Sequence, residues 1–298
     1  MKLVLFDDFR PGVLKDDRVV DVSSAVAHLP ISGFKKVMPT IIEHFDELRP
    51  RFEELAAKES GKPVSEVRLR APDPVPPKLL ACFSNYREGK DKPRGAQDMF
   101  FKNRDGVIGN GDTVELPPHQ ATVFHHEAEL GAILGKRSKD LTPEKALEAV
   151  FGYTCFVDVS GRGLGTTGQT SRMGKSFDTF GPMGPCIVTS GEVPDPNDLN
   201  VKFWVDGQLR QEYNTEDMEY SVAETVAYAS GVMTLLPGDF ICFGTHHLGL
   251  GPLQEGDFAE MEIERVGKFG IHVRDPHGRS WDKGVDKSQN NPGYRPSR

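Results

Sequence analysis

The stretch FHHEAELGAIL, residues 124–134, decides how the rest of the chain is read. Two acids, Glu127 and Glu129, stand one residue apart at the head of an apolar run. Side chains on a strand alternate between faces. Glu127 and Glu129 then point the same way, beside His125, while Ala128, Leu130 and Ala132 point into a core. Carboxylates held this close repel, unless one is protonated or a cation lies between them. Two solvated acids on an edge strand would account for the pair as well. A third acid favours the cation. Asp158 closes the apolar run Tyr153-Thr154-Cys155-Phe156-Val157, just ahead of a glycine-rich loop. Three carboxylates with no cysteine ligand suit a hard ion, Mg²⁺ with Mn²⁺ or Ca²⁺ as competitors. Such a site keeps coordination positions open for water or a chelating substrate, the arrangement of Lewis-acid catalysis.

The composition sets the frame for that site. The 298 residues are long enough for one large domain or two modest ones. With 37% hydrophobic and 27% charged residues the chain has the make-up of a soluble globular protein. A net charge of -8, without a basic block, argues against nucleic acid or an anionic membrane as partner. No apolar run is long enough to span a bilayer, and the N-terminus turns acidic too early for a signal peptide. Cys82, Cys155, Cys186 and Cys242 lie far apart in apolar contexts. They read as reduced, buried thiols of a cytoplasmic protein.

Residues 1 to about 22 read as short strands with turns at Arg10-Pro11-Gly12 and Lys15-Asp16-Asp17. Ile41, Phe45, Leu48, Phe52 and Leu55 recur at helical spacing over residues 39–58, with Pro50 expected to break or kink the helix. The proline-rich run at 71–77 marks a division near residue 72. That gives a small N-terminal domain, 1–72, and a second domain, 73–298, whose polar tail from Asp275 is expected to be loosely ordered. Strands are expected over KLLACFSN, MFFKN, TVELP, Glu127–Leu134 and 152–160, and at 237–245 and 258–273. Thr142 and Pro143 open a helix running to Val150, VKFWVDGQLRQEY folds into a hairpin on Asp206-Gly207, and Ser221 caps a helix. The fold class is α+β, rich in β. Gly163 to Gly168 fits G-x-G-x-x-G, the outline of a nucleotide-binding oxidoreductase. It lacks a βαβ frame and helical periodicity after it, so that alternative is set aside.

Taken in order, HHEAELGAILGK (125–136), GYTCFVDVSGRGL (152–164), GKSFDTFGPMGP (174–185), the segment 203–228 and LLPGDFICFGT (235–245) resemble the fumarylacetoacetate hydrolase family, from about Lys78 to about Val273. The resemblance implies a mixed β-roll or sandwich catalytic domain and a homodimer. It also implies a divalent metal, usually Mg²⁺, on Glu127, Glu129 and Asp158, and a 2-oxo or 2,4-dioxo acid as substrate. By the same resemblance Lys175 and Arg162 stabilise the charge of a substrate enolate, and Thr245, with Gly244, binds the substrate's acid group. Asn85 and Tyr86 match a substrate-side Asn-Tyr pair. The chain departs from the family where a lid histidine and its glutamate are usual, for Gly89 and Lys92 stand there. Gly163 and Gly165 replace a usual Asp and Gln. A base for water must then come from elsewhere, with Glu88, His246 and His247 as candidates. Hydrolysis of an acylpyruvate C–C bond is the expected reaction. Decarboxylation, hydration or keto–enol isomerisation of an acid such as oxaloacetate is the alternative, and a non-catalytic binder is a further one.

Overall fold

The computed structural model describes residues 1–90, 93–164 and 172–287. The chain opens with β1 (Lys2–Phe6), β2 (Arg10–Lys15) and β3 (Arg18–Asp21), followed by α1 (Ser23–Val26), α2 (Val37–Glu43), α3 (Phe45–Lys58) and β4 (Lys62–Pro63). Then come β5 (Leu79–Cys82), β6 (Met99–Phe101), β7 (Val107–Ile108), β8 (Thr113–Glu115), β9 (Phe124–His125) and β10 (Ala128–Leu134). After α4 (Pro143–Ala146) follow β11 (Val150–Val157), β12 (Ser160–Gly161), β13 (Gly181–Thr189), β14 (Asn200–Val205) and β15 (Gln208–Asn214). The helix α5 (Val222–Val232) precedes β16 (Phe240–Cys242), β17 (Phe258–Ile263) and β18 (Gly267–Arg274). The architecture is α+β and rich in β, as expected.

The large sheet runs β4-β3-β2-β1-β13-β11-β10-β16-β5-β6, with β7 on β13, and a second sheet runs β15-β14-β17-β18-β8. Leu130, Tyr153, Val157 and Val188 of the large sheet share a core with Val201, Phe203, Met261 and Phe269 of the second. The opposite face of the large sheet, with Leu5, Ile133, Phe156 and Ile187, packs on Ile41, Leu48 and Phe52 of the N-terminal helices. Residues before and after position 72 therefore contribute strands to one sheet, joined where β1 pairs with β13.

The first turn lies at Asp7-Asp8-Phe9, not at Arg10-Pro11-Gly12, which forms the head of β2. Asp7 and Phe9 take the left-handed backbone that a tight turn needs. Pro50 does not break its helix; the break falls at His44, between α2 and α3. An interior proline costs about 3 kcal/mol. The buried stripe of Phe45, Leu48, Phe52 and Leu55 outweighs it at about 1.5–3 kcal/mol per side chain. The helix opened by Thr142 ends at Ala146, and Val150 begins β11. The hairpin turns on Asp206-Gly207, both at positive φ, and Ser221 forms a full capping box with Glu224.

The tail from Asp275 is tied down as far as Asp286. Asp275 pairs with Arg279 at 2.9 Å, and Trp281 Nε1 donates to the Thr122 carbonyl at 2.6 Å. Asp286 Oδ2 lies 2.9 Å from His125 Nε2. All four cysteines are buried and free. No helix among the described residues is long and apolar enough to cross a membrane. Lys92, Gly165 and Gly168 lie outside the described residues. The strand before the G-x-G-x-x-G stretch, β12, pairs antiparallel with β9, unlike a nucleotide-binding βαβ unit.

Candidate metal centre

Antiparallel register builds the centre. Ala128 of β10 stands opposite Val157 of β11, and the ladder continues one step through the Asp158 amide donating to the Glu127 carbonyl at 2.9 Å. Glu127 and Asp158 are thus cross-strand neighbours, and Glu129 follows one pleat along. Opposed positions lie about 4.5–5.5 Å apart. Glu127 falls just before β10 rather than inside it, but the register carries it onto the expected face. Ligand oxygens of Glu127, Glu129 and Asp158 lie within 4.8 Å of one another, and all three residues are buried. The strand must run close to β16 here, because a Cβ on Gly131 would stand 2.1 Å from the Phe240 ring.

Cations surround the acids. Lys175 Nζ donates to Glu127 Oε2, to Asp158 Oδ2 at 2.7 Å and to Ser160 Oγ at 2.7 Å. Arg162 donates to Glu127 Oε1 and, through Nε, to His125 Nδ1 at 3.2 Å. Burial alone would raise the Glu127 carboxyl; the Lys175 and Arg162 charges win and hold it below the usual range. Burial, with Asp158 and Glu127 as like-charged neighbours, pushes Glu129 up to about 8. Burial would lower Lys175, but Asp158 and Glu127 raise it above its ordinary value. Asp158 Oδ1 is buried and receives no aligned hydrogen bond among the described residues, although the Lys102 ammonium stands 2.6 Å away. An all-oxygen donor set, a buried carboxylate with a lone pair to spare and two acids in mutual repulsion together fit a hard divalent ion.

Gly244 and Gln211 join this centre to the loop after β16. Gly244 adopts φ of 83°, a conformation that glycine takes without strain. That turn aims its amide at Glu129 Oε2, 2.7 Å away. Gln211, fully buried on β15, accepts from the Ala128 amide at 3.2 Å and lies 2.9 Å from His126 Nδ1. Its Nε2 donates to Thr245 Oγ1 at 2.9 Å and to the His246 carbonyl at 2.7 Å. Burial drives His126 down to about 3, so its ring is a neutral packing group stacked on Phe203.

The other sequence candidates divide. Asn85, expected at the substrate, uses its amide on the backbone: Nδ2 donates to Tyr220 and Phe243 carbonyls, and Oδ1 accepts from Tyr220 N at 2.9 Å. It latches loops together. Tyr86 packs edge-on against Tyr213 with ring centroids 5.1 Å apart. His246 stacks on Tyr213, and its Nε2 lies 3.5 Å from Asp217. His247 Nδ1 is hydrogen-bonded to Glu88 Oε1, and the His247 amide reaches the same oxygen at 3.0 Å. Lys102 was missed by sequence reasoning. Its one signal was a lysine at the end of the apolar strand MFFKN.

The sheet pair and its three carboxylates define a metal-binding α+β protein of the β-roll type. The chain matches the fumarylacetoacetate (FAA) hydrolase C-terminal family over residues 79–274 and belongs to the fumarylacetoacetate hydrolase family. It is 33% identical over 293 residues to the maleylpyruvate hydrolase of Aquipseudomonas alcaligenes, covering 92% of this chain and 99% of that protein. It is 33% identical over 257 residues to a mitochondrial oxaloacetate tautomerase of Bos taurus, covering 80% and 81%. The crystal structure of maleylpyruvate hydrolase from Sphingobium sp. SYK-6, in complex with manganese(II) and pyruvate, superposes with a TM-score of 0.84 at 35% identity. That match covers 92% of this chain and 99% of that one.

Proposed function

We propose that this chain is a divalent-metal-dependent hydrolase cleaving the C–C bond of a 2,4-dioxo acid of the acylpyruvate type. The observation that carries the reading is the buried convergence of Glu127, Glu129 and Asp158 on two paired strands. The full-length likeness to maleylpyruvate hydrolases supports it. Glu127, Glu129 and Asp158 hold the ion, with Mg²⁺ as the resident metal and Mn²⁺ as a substitute. A divalent ion held there would supply Lewis-acid polarisation of the substrate. The chain's own groups do the rest. Gly244 and Lys175 fix the carboxylates in place. Lys175 and Arg162 lend positive charge against the negative charge that grows on the pyruvyl half. Thr245, whose Oγ1 accepts from Gln211 Nε2 at 2.9 Å, binds the substrate's acid group. Tyr86 and Tyr213 pack edge to face behind the Thr245 loop, with the Tyr213 hydroxyl donating to the Ala128 carbonyl.

A keto–enol isomerase of oxaloacetate is the second reading, favoured by the likeness to the bovine tautomerase. One experiment separates the two. The purified protein with Mg²⁺ is given maleylpyruvate and, separately, enol-oxaloacetate, with absorbance followed and pyruvate assayed enzymatically. Pyruvate released in step with loss of the dioxo acid supports the hydrolase. Loss of enol absorbance from oxaloacetate alone, with no pyruvate from maleylpyruvate, overturns it.

A further inference from the structure

We infer that Glu88 and His247 form a carboxylate–imidazole dyad that activates the attacking water, with His247 as the catalytic base and Glu88 as its positioning residue. The inference rests on the hydrolase reading above. Neither residue occupies a position where the family carries its lid histidine and glutamate. The pair is assembled from two loops 159 residues apart in sequence.

Several observations converge on it. Glu88 Oε1 takes both the backbone amide and the Nδ1 of His247, so the ring's tautomer and direction are fixed together. A proton on Nδ1 leaves Nε2 as the basic nitrogen. Nε2 has no hydrogen-bond partner among the described residues. Glu88 itself sits at φ of 57°, left-handed backbone that costs a glutamate free energy and that clusters at functional sites. Its amide is held by Asp217 Oδ2 at 2.8 Å, and the neighbouring Arg87 amide by the Asp217 carbonyl at 3.0 Å. His247 lies on the loop that begins at Gly244, whose amide donates to Glu129 Oε2 at 2.7 Å, so the dyad stands beside the carboxylate cluster. The His247 side chain is 33% exposed, so water reaches it. Glu88 is the weaker candidate base. Burial would raise its carboxyl, but His247 and Lys90 hold it below the usual range, so it anchors rather than accepts.

The step balances as follows. Nε2 of His247 takes a proton from water as the water oxygen bonds to the acyl carbonyl carbon. The bond from that carbon to C3 of the pyruvyl half then breaks, and its electron pair stays on the pyruvyl fragment. The imidazolium returns the proton to C3, giving a carboxylic acid and pyruvate. The charged groups around the dyad are Glu88, on His247 Nδ1, Lys90, on Glu88 Oε2, and Asp217, which accepts the Glu88 amide and lies 3.5 Å from His246 Nε2.

The test uses the Mg²⁺-loaded protein with maleylpyruvate. His247→Gln should lower kcat by about 10²–10⁴-fold with KM little changed, the span of a lost general base. Calorimetric binding of Mn²⁺ and of pyruvate should stay within about threefold of wild type. Glu88→Gln should lower kcat less than His247→Gln, with KM little changed, because the carboxylate that orients the ring is gone. Glu88→Asp should restore part of the rate. In ¹⁵N NMR of the metal-free protein, His247 should carry its proton on Nδ1, and Glu88→Gln should lose that preference. A His247→Gln variant within about threefold of wild-type kcat, or a proton found on Nε2, overturns the dyad. A wild type that binds Mn²⁺ and pyruvate but hydrolyses no acylpyruvate overturns the hydrolase reading, and the dyad with it.

Discussion

The two halves of the site are built on different principles. The metal half stands on β10 and β11, where a regular antiparallel ladder places Glu127 across from Asp158 and packs the opposite face solid with Leu130, Cys155 and Val157. The proposed base half stands on loops, where Asp217, Asn85 and the Gly244 turn hold the segments that carry Glu88 and His247. A sheet makes the spacing of charged groups a property of the backbone. A loop makes it a property of individual hydrogen bonds, and these can be exchanged one at a time.

The comparison breaks most cleanly at Glu129. Glu129→Gln removes a ligand from the rigid half, and Mn²⁺ affinity by calorimetry should fall by more than about 100-fold, beyond the range for losing an outer hydrogen bond. The next effect belongs to Gln211, which ties the halves together through Ala128, His126, Thr245 and His246. Gln211→Ala orphans several buried groups at about 1–3 kcal/mol each, so urea unfolding should show a loss of a few kcal/mol. Hydrogen exchange should quicken in the 244–251 loop more than in β10.

Asp73 sharpens the contrast from outside the site. It is fully buried, and burial raises its carboxyl to about 8, with Asp239 as a like-charged neighbour. An unfolded aspartate titrates near about 3.9. Between these values the folded state holds a proton that the unfolded state lacks, so stability falls as pH rises through that window. Asp73→Asn removes this dependence. Its melting temperature relative to wild type should climb from about pH 5 to about pH 8 and level off above, while Mn²⁺ affinity stays put.

Much of the metal half could be read in the chain itself. Alternation marked the strand faces, and acids interrupting apolar runs at Glu127, Glu129 and Asp158 stood out because buried charge is costly. The Asp206-Gly207 hairpin and the Ser221 cap were legible for a similar reason, since their chemistry is local. Pro50 misled because local propensity lost to tertiary burial. Lys102 was hard to see for the opposite reason, since a lone lysine on a strand carries no periodic signal; Glu88 and His247 stood out singly as candidate bases, but their pairing across two separate loops left no mark in the sequence. Asp286 was hidden in a polar tail whose composition resembles that of a loose end, yet it holds His125.

That last contact has a consequence for how the protein is made. Asp286 bears on His125, His125 on Arg162, and Arg162 on Glu127, so a relay of polar contacts links the far end of the described chain to the ion cradle. Ribosomes release a polypeptide from its amino end, and early segments begin to fold first. The strands bearing the acids emerge long before residue 286 does. The relay that bears on Glu127 is therefore complete only once residue 286 has emerged.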